Sequence, residues 1–265
     1  MTRFSPSLST ALHFAADCNV AGECSTWQVE PPPLTVARIE VKIQNVRALE
    51  KAPTLADEGF AFVAHPAGAA AWDDAAWVSS VYVQSCLDLV KQLTGARSVV
   101  RIFEPISWGT NPDPARKSAD ANMIHLDQPR TEYRYYAEQA AKAAGLELGR
   151  AAIFNVWKAT SRPPQDFPLA ICDRRTISQD DYVPGVLLEG DLSMPSVAIA
   201  YSAEARPQWY YAPDMTADES LVFISADFDP ARPLGCAHTG FAAPVEHGPY
   251  VPRTSLEVRV LALFQ

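Results

Sequence analysis

A histidine and a carboxylate two residues apart, His125-Leu126-Asp127, are the first side chains in this sequence that could do chemistry together. On a β-strand, residues i and i+2 project from one face. Imidazole and carboxylate would then stand side by side and share one ion. A second histidine from a distant strand completes a two-histidine, one-carboxylate set, which leaves coordination positions open and suits Fe(II), whereas thiolates favour zinc. The H-x-D pattern is short enough to arise by chance, and taken alone a strand-edge histidine beside a solvated aspartate is the plainer reading.

The distal ligand must be one of the other four histidines. His13 lies in an irregular N-terminal stretch. His65 precedes Pro66 and His247 precedes Gly248-Pro249, so both read as turn residues. His238, within Cys236-Ala237-His238-Thr239-Gly240-Phe241, follows one expected strand and precedes the last, which makes it the best placed. Cys236 would share its face, and a His/Cys zinc site is conceivable. No second thiolate has metal-ligand spacing, however, so Cys236 reads as a buried apolar residue.

Beyond His238, Arg253-Thr254-Ser255-Leu256-Glu257-Val258-Arg259 alternates, with Arg253, Ser255, Glu257 and Arg259 on one face. A guanidinium there can take a carboxylate bidentately, with the Ser255 hydroxyl as a second donor. That is what the tail of 2-oxoglutarate requires. Either arginine can serve, and Arg253 is favoured; the competing picture is an exposed edge with a Glu257–Arg259 pair. Asn155 and Trp157 share a strand face and can line a pocket near the metal, although Trp157 is equally at home in a core. Arg150 either grips a substrate carboxylate or pairs with an acid such as Asp173. In the run Trp209-Tyr210-Tyr211 at least one ring points outward, and Tyr211 is the candidate to border a substrate.

These residues need strands to position them. Val36–Val46 alternates as a half-buried strand, and Gly59–Ala64, Ser98–Phe103, Ala151–Trp157, Val197–Tyr201, Trp209–Tyr211, Ser220–Ala226 and Leu256–Phe264 read as further strands. A helix opens at Asp73-Asp74, carries Val78, Val81, Tyr82, Cys86, Leu89 and Leu93 as its apolar stripe, and closes at Gly95. A second spans about Arg130 to Ala144. Residues 1–34 read as an irregular arm ending in Pro31-Pro32-Pro33, residues 104–122 as a loop, and residues 158–195 as a long segment covering the active site. Residues 35–265 are then one domain. Short strands separated by turns point to a sandwich or barrel.

Bulk composition sets the class. The chain has 265 residues, 48% hydrophobic and 20% charged, an ordinary globular mix long enough to bury a core. A net charge of −9 without a Lys/Arg cluster argues against nucleic acid. No stretch is apolar enough to span a membrane. Five cysteines and no secretory signal pattern fit reduced thiols in the cytoplasm.

Several blocks, in order, are similar to one family. These are His125-Leu126-Asp127-Gln128, Gly149-Arg150 through Asn155-Val156-Trp157, Pro168-Leu169-Ala170-Ile171-Cys172-Asp173, Trp209-Tyr210-Tyr211, His238-Thr239-Gly240-Phe241, and Pro252-Arg253-Thr254-Ser255 through Arg259. Over roughly residues 35–264 the chain resembles the hydroxylase/desaturase family of fungal and bacterial secondary metabolism named after AsaB and CmcJ, which includes gibberellin desaturase-like enzymes. The resemblance implies a mainly β fold with flanking helices built on a double-stranded β-helix, a cupin-like jelly roll. It also implies Fe(II), with 2-oxoglutarate and O₂ as co-substrates, and hydroxylation or desaturation of a small molecule with release of succinate and CO₂. It carries over His125, Asp127 and His238 as iron ligands and Arg253 and Ser255 as the R-x-S pair for 2-oxoglutarate. The sequence departs from the family at Gly240, where an alanine is expected, and near Ser225–Asp229, where an expected lysine is missing. Two alternatives remain at this level: a cupin-type or zinc metalloenzyme independent of 2-oxoglutarate, and a non-catalytic jelly roll that only holds a ligand.

Overall fold

A computed structural model of the chain describes residues 5–16, 35–109, 123–189, 192–201, 206–243 and 249–264. In chain order the strands are β1 (Ser7–Ala16), β2 (Thr35–Asn45), β3 (Phe60–Ala64), β4 (Ser98–Arg101), β5 (Ile106–Gly109), β6 (His125–Leu126) and β7 (Ala151–Ala159). They continue as β8 (Leu169–Cys172), β9 (Tyr182–Glu189), β10 (Leu192–Ile199), β11 (Trp209–Tyr211), β12 (Glu219–Asp227), β13 (His238–Gly240) and β14 (Thr254–Leu263). The helices are α1 (Ala75–Trp77), a π-helical turn at Val78–Tyr82, α2 (Val83–Thr94) and α3 (Arg130–Ala143).

Two sheets result. One is eight-stranded, ordered β1-β2-β11-β8-β13-β6-β10-β9; the other runs β3-β12-β7-β14-β4, with β5 also pairing β14. This is the expected mainly β, jelly-roll architecture with flanking helices. Alternation sorts the second sheet's side chains. Phe154 and Val156 of β7, with Val258 and Val260 of β14, pack against Val83, Cys86 and Val90 of α2. Trp157 of β7 and Leu221 and Phe223 of β12 turn the other way and meet Ile171 and Tyr210 of the first sheet. Burying each such large apolar side chain contributes about 1.5–3 kcal/mol, and this shared core holds the inner faces together.

Asp74 caps the first helical turn, accepting from the Ala76 and Trp77 N–H groups, and Gly95, with φ +66°, ends α2. The expected stripe slips midway. Val81 is 54% exposed and Leu93 37%, while Val83 and Val90 are buried. The π-helical turn is the cause: its wider turn takes in one extra residue and rotates every later side chain.

Three sequence expectations change here. Within the presumed irregular arm, Ser7–Ala16 is a full strand antiparallel to β2. Leu12 and Phe14 are buried on it, and Phe14 meets Trp209 edge-on at 6.3 Å. Residues 17–34, with the triple proline, Cys18 and Cys24, lie outside the described residues, as do residues 110–122 of the expected loop and His247. The segment 158–195 is not one long loop, since it contains strands of the first sheet. β8 sits between β11 and β13, and β9 pairs with β10 at the sheet edge; four-residue Leu169–Cys172 is wholly buried, as an interior strand must be. His65 is no turn residue either. It is 7% exposed, its ring nitrogens hydrogen-bonded to Ser220 Oγ (2.9 Å) and Ser85 Oγ (3.1 Å). Cys86, Cys172 and Cys236 are buried free thiols.

Candidate metal centre

Strand register builds the centre. His238 of β13 is the direct partner of His125 of β6. Directly opposed residues share a face, so the two imidazoles meet with ring centroids 4.4 Å apart. Asp127 follows β6 by one residue and places Oδ1 3.9 Å from His125 Nε2 and 3.6 Å from His238 Nε2. The three candidate ligand atoms all lie within 4.8 Å of one another. Each ring is oriented by the carbonyl two residues before it: His125 Nδ1 to Met123 O at 2.8 Å, His238 Nδ1 to Cys236 O at 3.2 Å. Donation from Nδ1 leaves Nε2 as the lone-pair atom, turned toward the carboxylate.

The carboxylate is held from several sides. Asp127 Oδ2 accepts from the Tyr133 hydroxyl (3.2 Å) and from Asn155 Nδ2 (3.1 Å), while Arg259 Nη2 lies 3.0 Å from Oδ1. Arg259 Nε also sits 2.6 Å from Glu257 Oε1, an ion pair off the hydrogen-bonding line. Burial works against the charged Asp127, but Arg259 and then His238 outweigh it and hold the acid well below the ordinary carboxylate range. Burial pushes His125 down to about 4, with the charge of His238 adding to the effect. Burial also opposes charge on His238, yet Asp127 beside it prevails and raises its pKa. A neutral imidazole and an ionised carboxylate are the forms that bind metal.

Arg253 differs from Arg259. Its guanidinium forms no ion pair among the described residues; Asp166 instead accepts from its backbone N–H. Arg253 Nε and Ser255 Oγ are both buried without a hydrogen-bond partner. The guanidinium carbon lies 5.6 Å from the Trp157 ring centre and 5.7 Å from that of Phe167. Beside it is a cavity of about 10 Å³, lined by Trp157, Phe62, Leu169 and Met215 among others, which is room for about one water. Two orphaned donors on one strand face, closed in by apolar walls, are what an incoming carboxylate would satisfy.

The sequence candidates therefore divide. His125, Asp127 and His238 come together. Asn155 reaches the centre as a partner of Asp127 and Trp157 as a wall of the arginine pocket. Arg253 and Ser255 form an unsatisfied pair, and Arg259 is committed to Asp127. Arg150 is drawn elsewhere, because its guanidinium pairs at 3.0 Å with Asp227, not Asp173, and stacks over Phe264 at the far end of β7. Tyr211 packs edge-on against Phe241 at 5.5 Å, a core contact. Cys236 is buried, with its thiol pushed up to about 12, and offers no thiolate. Tyr133 was missed. It shares a helical stripe with Ala137 and Ala141, all buried, and nothing in that spacing separates a ligand-holding phenol from a core aromatic.

A jelly roll carrying a two-histidine, one-carboxylate cluster at the meeting of its sheets has the constellation of non-haem Fe(II) oxygenases. The chain belongs to the family described as "Oxidoreductase/YMDC permease-like domain", whose model matches residues 19–263. It is 29% identical over 194 residues to the "Fe(II)/2-oxoglutarate-dependent dioxygenase nvfI" of Aspergillus novofumigatus, covering 71% of this chain and 68% of that protein. It is 25% identical to the "Hydroxylase/desaturase efuI" of Hormonema carpetanum, covering 98% and 96%. Among solved structures, that of the iron and alpha-ketoglutarate-dependent endoperoxidase NvfI superposes with a TM-score of 0.78 at 25% identity, over 98% of each chain.

Proposed function

We propose that this chain is an Fe(II)/2-oxoglutarate-dependent oxygenase that hydroxylates or desaturates a small molecule of secondary metabolism, with release of succinate and CO₂. One observation carries the proposal: three convergent metal-ligand atoms and, at the start of β14 on the facing sheet, a guanidinium Nε and a hydroxyl that are both buried without a hydrogen-bond partner among the described residues. The first set suits iron and the second suits a carboxylate.

His125, Asp127 and His238 would hold the iron, and Arg253 with Ser255 would receive the distal carboxylate of 2-oxoglutarate. Iron, when bound, supplies the activation of O₂ coupled to decarboxylation of the 2-oxo acid, which no protein side chain can do. The chain's own part is orientation and exclusion of water. Nδ1 of each histidine is spent on a backbone carbonyl, so Nε2 is presented without rotation. Tyr133 and Asn155 occupy Oδ2 of Asp127 and leave Oδ1 on the histidine side. Arg259 compensates the buried carboxylates of Asp127 and Glu257. The Phe223 ring packs on His238 with centroids 4.8 Å apart and Ile171 is the strand partner of His238. Both belong to an apolar cluster with Phe60, Trp157 and Leu221, which keeps bulk water from this side of a reactive site.

The test is anaerobic addition of Fe(II) and then 2-oxoglutarate, watching for the visible metal-to-ligand charge-transfer band. Wild type should show the band and His238→Ala should not. Bound iron without a band would point to an enzyme independent of 2-oxoglutarate, and failure to bind iron would leave zinc or plain ligand binding.

A further inference from the structure

The arginine pocket has a feature that follows from a single glycine. Gly240 ends β13, two residues after His238, and pairs with Leu169 of β8. Its φ is not in the left-handed region, so no conformational demand explains a glycine there. Space does. A Cβ at this position would lie 2.3 Å from Cε1 and 2.7 Å from Cδ1 of Phe167, far inside van der Waals contact. The Phe167 ring fills the notch that the missing side chain leaves. The backbone on either side is tied down, because Phe241 N–H donates to Pro168 O at 3.1 Å. The seated ring flanks the Arg253 guanidinium at 5.7 Å, with the Trp157 ring at 5.6 Å.

We infer that Phe167 is a positioning residue for Arg253. Seated against Gly240, its ring and the indole of Trp157 clamp the guanidinium in the pose that takes the co-substrate carboxylate. The inference rests on the function proposed above. A long arginine side chain loses appreciable rotamer freedom when it binds an anion. Two aromatic faces bear that cost beforehand, through cation–π attraction in a desolvated setting. The strand that carries iron ligand His238 also carries the notch, so metal and co-substrate anchor are built on one backbone.

The experiment measures 2-oxoglutarate affinity of the Fe(II)-loaded protein by anaerobic titration of the charge-transfer band, with Fe(II) affinity and melting temperature measured on the same samples. Phe167→Leu keeps apolar bulk but removes the π face, and should weaken 2-oxoglutarate binding about tenfold while leaving Fe(II) affinity unchanged. Phe167→Tyr keeps the face and should bind as wild type does. Gly240→Ala should weaken binding similarly by displacing the ring, yet add little in the Phe167→Leu background, where the smaller side chain can give way. Wild-type affinity in Phe167→Leu, or equal loss of Fe(II) affinity, would overturn the inference and leave the co-substrate reading standing. A band indifferent to Arg253→Met would overturn the inference while leaving the 2-oxoglutarate reading standing, and a wild-type protein with no 2-oxoglutarate-dependent band would overturn both.

Discussion

Arg253→Met should make the metal-free protein more stable while destroying its hold on 2-oxoglutarate. Burial pushes the Arg253 guanidinium down from 12.5 to about 10, with only Asp166 opposing it. An arginine side chain stays charged in proteins, so the shift registers as an energetic cost: at about 1.4 kcal/mol per tenfold change in proton affinity, about 3 kcal/mol. The two ring contacts return about 1 kcal/mol each, leaving a net cost of about 1 kcal/mol. Methionine fills much of the same volume without a charge. Its substitution should raise the melting temperature of the apo protein by about 2–4 °C. Losing a charge-assisted, bidentate carboxylate contact should weaken 2-oxoglutarate at least about a hundredfold. Calorimetric melting without metal and anaerobic titration of the charge-transfer band measure the two effects separately. A variant that melts several degrees lower and still binds 2-oxoglutarate normally would refute both the uncompensated charge and its assignment as the anchor.

The other arginine on that strand face should behave oppositely. Arg259→Met strands the buried Asp127 and Glu257 carboxylates and should cost about 3–5 kcal/mol in urea denaturation; unchanged stability would sink the idea that it compensates them. Ser255→Ala removes a buried hydroxyl without a partner, so apo stability should hold within about 0.5 kcal/mol while 2-oxoglutarate binds about tenfold more weakly, as calorimetric titration would show. His65 is pushed down to about 4 by burial and by Lys158. Its unfolded form therefore takes a proton first, and the stability it contributes above pH 6.5 is lost as pH falls toward 4. Wild type should lose about 2 kcal/mol from this group between pH 7 and 4.5, and His65→Gln should lose correspondingly less; identical losses in the two proteins would count against it.

Much of the fold was legible because period-2 alternation reports directly on burial. β7, β12 and β14 announce themselves as strands, and Asn155 with Trp157, or Arg253 with Ser255, are assigned to common faces by spacing alone. β1 is not legible because Leu12 and Phe14 alternate with small or polar residues in a stretch lacking charge contrast. β8 is hard to read because four residues carry no periodic signal against the prolines around them. The α2 stripe failed at the π-helical turn, a one-residue insertion that leaves no mark in composition.

By itself, then, the sequence determined the donor chemistry: a histidine and aspartate on one strand face, few other histidines to join them, and arginines and a serine alternating on another. Only the tertiary structure decided how those faces meet. It set His238 opposite His125 across a strand pair, committed Arg259 to Asp127 over a separation of 132 residues, and left the Arg253 guanidinium without an ion pair among the described residues. It brought Tyr133 from a helix onto Oδ2 and Phe167 into the space above Gly240. The reason is physical: alternation specifies which side of a strand is buried, whereas the identity of what it is buried against depends on sheet order and register between residues far apart in the chain.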